Sequence, residues 1–269
     1  MKKKAFTLLE LLVVMAIIAV LTGLSFPVFN TVRKSGNKSR EIHAGRQLAA
    51  AYAAATADND GTLLAGYASK AEAWDDLGRP VQNPVCNRYP WRLAKYLGYK
   101  VVGSLIVNEQ ARIADLRDKQ QDYNYLVSLT PTFGMNSILV GGDFHGIYAP
   151  GGLAANRLGS FCVTRISQAQ RPSQLILFAS AHFWSGEEHH HGYHTVEPPY
   201  LTGMNWSGSV DETNPKSTGY VHLRYDKQAV VVMLDGHVEL LDFDRLNDMR
   251  RWSNQAAELD DPRYMLGSQ

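Results

Sequence analysis

The sequence predicts an α+β fold, one long N-terminal helix packed on an antiparallel β-sheet head, on three observations. Residues Phe6 to Phe29 carry no charge apart from Glu10, an apolar run of helical length. Beyond it, Ile42, Gly45, Leu48, Ala49, Tyr52 and Ala55 recur at three- and four-residue spacing, the period of one helix face. Near the C-terminus, Val230-Val231-Val232-Met233-Leu234 and His237-Val238-Glu239-Leu240-Leu241 flank Asp235-Gly236, the pattern of two strands about a tight turn.

At about 1.5 Å of rise per residue, Leu11 to Val28 spans most of a hydrocarbon core of about 30 Å. Lys2, Lys3 and Lys4 stay cytoplasmic by the positive-inside rule, which places everything after Phe29 outside. Glu10 does not suit a passive anchor, because an ionisable group in a membrane helix costs a few kcal/mol and marks a function. If the helix continues to about Thr56 it is about 75 Å long. Residues 6–29 form its membrane half and residues 30–57 its amphipathic half, with a head over 58–269. Lys38, Arg40, Glu41 and Arg46 are assigned to the outward faces, and Ser35-Gly36-Asn37 interrupts the period.

Asp58-Asn59-Asp60-Gly61 ends the helix with Gly61 left-handed; the later ligands of a calcium loop are missing. Trp91 to Tyr96 reads as a short helix between Pro90 and Gly98, and Ile106 to Gln120 as another, with Ile113 and Leu116 on one face. Ser137-Ile138-Leu139-Val140 and Leu175-Ile176-Leu177-Phe178 read as buried strands. Trp184 to Pro215, rich in Gly, Pro, Ser and His, has no period and reads as a long surface loop. Gly219 to Tyr225 is expected to add a strand beside the hairpin, whose Asp235-Gly236 suits a type I′ turn. Asp242 or Asp244 then caps a helix through Trp252.

Lys4-Ala5-Phe6-Thr7-Leu8-Leu9-Glu10 resembles the type IV prepilin signature, a basic leader cut before a Phe with a Glu at the fifth mature position. The resemblance implies cleavage between Ala5 and Phe6 by a prepilin peptidase, with residues 1–5 as leader, and N-methylation of Phe6. It also implies assembly with identical or related pilin-like subunits at an inner-membrane assembly platform. Ala5 replaces the usual Gly, and Pro27 falls where many of these proteins kink the helix. A physical argument stands beside it: the Phe6 amine freed by cleavage is a cation, and Glu10 of a neighbouring subunit can pair with it. The tail resembles prepilin-like proteins of the Planctomycetes–Verrucomicrobia type, which end in a His, nine residues and Asp-Gly-His-Val. Asp235-Gly236-His237-Val238 matches, but Tyr225 stands where the His is expected. Tyr89-Pro90-Trp91-Arg92-Leu93, Phe133-Gly134-Met135-Asn136 and Thr164-Arg165-Ile166-Ser167 are also similar to that group.

Two other readings of the N-terminus compete. Gly23-Leu24-Ser25 is a passable secretory cleavage site, against which the glutamate in the apolar region argues, and an uncleaved anchor needs no glutamate. No cysteine near the run supports a lipoprotein. A formal net charge of +1 across 269 residues offers no electrostatic case for nucleic acid. Cys86 and Cys162 lie where a disulfide is permitted, though sequence does not bring them together. No Gly-rich phosphate loop or Gly-x-Ser-x-Gly occurs. Glu187 to His194 is the one metal candidate, since His190 and His194 would share a helix face, but the run lacks an apolar period and no cofactor is expected.

Three hypotheses follow. The favoured one is a structural subunit, a pseudopilin of a type II secretion system, anchored in the inner membrane by a single pass with its head in the periplasm. The second is a subunit of a type IV surface pilus for adhesion or motility. The third is a membrane-anchored periplasmic binding protein or hydrolase that uses the histidine loop.

Overall fold

The computed structural model describes residues 7–145, 148–186, 188–201 and 204–266, with backbone alone at 24–28, 204 and 205. Its contacts divide into two compact units, Met1–Ser39 and Arg40–Gln269. Helix α1, Leu8–Asp58, begins in the first and ends in the second. It runs through Ser35-Gly36-Asn37 without a break, because one Gly costs a helix interior only about 1 kcal/mol.

In the first unit, the large apolar side chains from Leu8 to Leu21 are each at least 44% exposed. Among the described residues no helix is long and apolar enough to cross a membrane. The span expected over 6–29 includes Phe6 and the side chains of 24–28, which lie outside the described residues.

In the second unit, α1 presents Leu48, Ala49, Tyr52 and Ala55 to a core, as the spacing predicts, and Ala44 besides. The helix ends as expected: the Gly61 N–H donates to Thr56 O at 2.9 Å, with φ of +76° at Gly61. Helix α2, Tyr89–Ala94, passes into a 3₁₀ turn over Lys95–Leu97 that Gly98 closes in a left-handed conformation. The helix expected over 106–120 is a 3₁₀ segment, Asn108–Leu116, and the unforeseen α3 follows at Gln120–Leu129.

Strand β1, Phe133–Met135, precedes α4, Leu153–Leu158, and β2, Ile176–Ser180. Ser137 to Val140 is a turn rather than a strand, joined to Val163 by one bridge at Val140. The expected surface loop over 184–215 contains two small hairpins: β3, Phe183–Ser185, with β4, Glu188–His190, and β5, Tyr200–Leu201, with β6, Met204–Asn205. Val196 and Leu201 are fully buried, so this segment supplies core as well as surface.

Strand β7, Gln228–Met233, and β8, Val238–Asp242, form the predicted hairpin and complete an antiparallel sheet ordered β1-β2-β7-β8. Both faces of β7 are covered, which explains its unbroken apolar run. Val230 and Val232 pack with Phe133, Phe178, Leu48 and Tyr52; Val231 and Met233 pack with Leu241, Leu246 and Trp252. Gly45 lets α1 approach this sheet closely: a Cβ there would lie 3.1 Å from Val232 Cγ2.

Three details of the C-terminal third differ from expectation. Gly219 to Tyr225 makes isolated bridges from Val221 to Ala181 and from Tyr225 to Gln228, and adds no strand. The Gly236 N–H donates to Met233 O and the Met233 N–H to His237 O, both at 2.9 Å; only Gly236 has positive φ, +97°. That is a type I turn closed by a left-handed glycine, not type I′. Beyond it, Asp242 caps α5, Phe243–Leu246, through Arg245 N; the helix expected through Trp252 stops there and is followed by a 3₁₀ turn over Met249–Arg251, after which Ser253 caps α6, Asn254–Glu258.

Candidate functional site

Of the residues singled out for processing and assembly, Ala5 and Phe6 lie outside the described residues, and Pro27 is described only as helical backbone. Glu10 is described, and its surroundings are informative. Its Oε2 accepts the Thr7 N–H at 2.9 Å and the Thr7 hydroxyl at 2.8 Å, while its own N–H donates to Thr7 Oγ1 at 3.2 Å. Thr7-Leu8-Leu9-Glu10 is therefore a reciprocal capping box that opens α1. The Thr-x-x-Glu spacing was readable in the sequence, behind the more conspicuous Phe-to-Glu register.

A second glutamate departs from expectation. Glu41, assigned to an outward face, is fully buried. Its carboxylate accepts from Ser180 Oγ at 2.5 Å and from Tyr225 OH at 2.6 Å, and the Arg224 guanidinium lies 3.6 Å away. Arg224 also donates to His191 O at 3.0 Å and Ala181 O at 2.5 Å. Burial, then the Glu41 charge, drive the Tyr225 hydroxyl well above its ordinary pKa, so it remains a donor. Tyr225, at the position where the tail pattern leads to the expectation of a His, supplies the carboxylate with a hydrogen bond. Glu41 does fall on the 45-48-52-55 stripe, but carboxylates are seldom buried without partners, and these partners are about 140 residues or more away.

The histidine segment behaves differently from the expected helix. His190 sits in β4, with His194 beyond the strand and no shared helix face. The rings that come together are His189 and His191, with His182 from the connection after β2 and His222 from the Gly219–Tyr225 segment. His222 stacks on His182 at 4.5 Å between ring centroids and 10° between planes, with His191 5.3 Å away on a 28° tilt. His189 stands edge-on to His182 at 5.5 Å, to His222 at 5.7 Å and to His191 at 4.7 Å. His182 Nδ1 and His189 Nε2 are 3.3 Å apart.

Burial, reinforced by Arg224, lowers the pKa of His182 to about 3 and that of His191 to about 4, and lowers His189 and His222 likewise, so all four are neutral at pH 7. His182 Nε2 and His222 Nδ1 are buried without a hydrogen-bond partner. Among the described residues no three His, Cys, Asp or Glu side chains converge on a metal-sized point.

The quoted interior motifs are accounted for by packing. Arg92 holds the carbonyls of Ala65, Gly66 and Asn87 at 2.7–3.1 Å. Asn136 Nδ2 bridges Ile176 O and Trp252 O at 3.0 and 3.2 Å. Arg165 reaches Thr62 Oγ1 and Asp60 O, tying down the loop after α1. Cys86 and Cys162 are both free thiols, and burial raises Cys162 to about 12.

Residues 1–26 match the prokaryotic N-terminal methylation motif. The chain is prepilin-like at this end, with the α+β architecture of a long N-terminal helix and a four-stranded antiparallel sheet. No curated protein and no solved structure matches the chain.

Proposed function

We propose that this prepilin-like chain is the subunit of a pilin-like filament, most closely a type II secretion pseudopilin. In this reading residues 1–5 are the leader, cut between Ala5 and Phe6; residues 6–29 embed in the inner membrane and among neighbouring subunits; the head is periplasmic. The observation that carries it is the methylation motif over residues 1–26, whose Glu10 stands at the start of a helix with exposed apolar side chains. Such side chains need lipid or other helices around them, and a subunit array supplies both. A carboxylate has about four lone-pair sites, so the two Thr7 bonds to Glu10 leave capacity for the Phe6 amine of an adjacent subunit. The chain's role is structural, and its partners are its own kind, a prepilin peptidase and a membrane assembly platform.

Mass spectrometry of the mature protein from its native host tests the reading. A chain beginning at N-methylated Phe6 is expected, and Ala5→Glu should block the cut. A chain beginning at Phe26, or an intact Met1, overturns it. Shearing cells separates the finer alternatives: a surface pilus releases the subunit into the medium, whereas a secretion pseudopilin stays with the envelope.

A further inference from the structure

The filament reading leaves unused a cleft of about 640 Å³ in the head, beside the C-terminal end of α1. Trp74, Tyr96 and Tyr99 line it, together with the buried Trp91. Trp74 is 43% exposed and Tyr99 37%, whereas the other four tryptophans are buried or half-buried. Large aromatic side chains gain much from burial, so a cleft that leaves two of them open to solvent reads as a binding site. Neither ring is open because its backbone is loose. Trp74 bridges to Pro80, and its neighbours are pinned: Ala73 O accepts the Val81 N–H at 3.0 Å, and the Asp75 carboxylate accepts the Leu77 and Arg79 N–H groups at 2.9 Å each. Tyr99 has φ of +58°, in the left-handed region that a bulky side chain rarely adopts, and its N–H donates to Ala94 O at 2.8 Å. Strain of this kind persists only where the surroundings hold it, and it gathers at ligand clamps. Both rings are thus in place before a ligand arrives, which lowers the entropy cost of binding.

The polar groups of the cleft narrow the ligand class. Asp58, Asn59, Glu72 and Lys95 are exposed along it, while Arg92 is committed to three backbone carbonyls. The two carboxylates balance the two cations, so the cleft suits a neutral ligand rather than an ion. Carboxylates accept, the ammonium group donates, and the amide does both. A sugar ring meets these demands together: its hydroxyl groups donate and accept, and its C–H face packs on the electron-rich face of an aromatic ring. We propose that this cleft binds a short neutral saccharide, stacked on Trp74 and Tyr99 with its hydroxyl groups on Asp58, Asn59, Glu72 and Lys95. The volume lies within the roughly 300–1,000 Å³ of small-ligand clefts.

The test uses the full chain in a detergent without a sugar headgroup, titrated with cellotriose, xylotriose and the trimer of N-acetylglucosamine. At least one should bind at millimolar concentration or below and shift the tryptophan emission, because Trp74 is the exposed indole. Trp74→Ala should abolish that shift and weaken binding by calorimetry at least tenfold. Tyr99→Gly should weaken binding at least tenfold without lowering the unfolding temperature, since Gly accepts positive φ. Tyr125→Ala, an exposed aromatic outside the cleft, should bind like the parent. The unmutated chain gives a readout independent of any variant's folding: bound sugar should protect Trp74 from oxidation by N-bromosuccinimide, as peptide mass spectrometry reads. Failure of all three sugars to bind, equal binding by Trp74→Ala or Tyr99→Gly, or oxidation of Trp74 unchanged by sugar overturns the proposal. Binding of an apolar dye at Trp74 without any sugar would mark a protein-docking surface and overturns it as well. None of these readouts depends on assembly, so the filament reading can fail while this one stands.

Discussion

The first unit inverts the usual relation between polarity and burial, and the second keeps it, with Glu41 among the exceptions. In the first, Leu8 to Leu21 expose their apolar side chains, and among the described residues Glu10 bonds within its own helical turn. In the second, the apolar side chains are inside, and Glu41 is buried with them, held by Ser180, Arg224 and Tyr225. Glu10 looks buried from its sequence context and is exposed in the single chain; Glu41 looks exposed and is buried. The difference teaches that burial of a charge depends on whether distant partners arrive, and not on the polarity of adjacent residues.

The largest effect on folding is expected at Glu41. Glu41→Gln leaves Arg224 buried without its counter-charge, which should destabilise the head by about 3–5 kcal/mol. Urea unfolding would measure this, and adding Arg224→Met should recover part of the loss. A cost below about 1 kcal/mol would place the pair among weakly coupled surface ions and break the comparison. Glu10→Leu should act on assembly alone, because the Phe6 amine of an adjacent subunit would lose its counter-charge. Head unfolding should not change, and filament fractions should be empty. Glu10→Gln sharpens the point, because Gln also serves a capping box but cannot neutralise an amine. Assembly by Glu10→Gln would mean that the cap, not the charge, is what the filament requires.

Smaller effects should stay within the head. Gly236→Val forces a β-branched residue to φ of +97°, at a cost of about 1–2 kcal/mol by thermal unfolding. Asp235→Ala should cost less than about 1 kcal/mol, since the hydrogen bonds of the Asp235 side chain are exposed ones with His237 and the residue needs no positive φ. Equal costs at the two positions would restore the type I′ turn.

The last effect is absent at neutrality and grows with acid. Burial, with Arg88 and His145 nearby, lowers the pKa of His194 to about 3. The unfolded chain therefore binds a proton below the ordinary 6.5 that the folded head refuses. Stability from this group is complete above pH 6.5 and is lost as pH falls toward 3. His194→Gln should flatten the fall in unfolding temperature between pH 7 and 4. The described part of the first unit contains no histidine, so its helical signal should not follow that fall.

What the sequence determined by itself was local or periodic. The apolar run, the 42-to-55 stripe and the β7–β8 hairpin were legible because each depends on residues within a few positions of one another. The same holds for the left-handed stop at Gly61, and for the prepilin-like N-terminus, a contiguous motif. Tertiary structure alone decided the rest. Ser137 to Val140 has the composition of a strand but is a turn, because Phe133–Met135 takes the edge of the sheet beside β2. Gly219 to Tyr225 gives up its ladder and aims Arg224 and Tyr225 at Glu41 and His222 at His182. The burial of Glu41 and the gathering of four imidazoles depend on contacts across as many as 184 residues. No periodicity encodes such meetings, because the cost of burying each group is met only once the folded chain has delivered its partner.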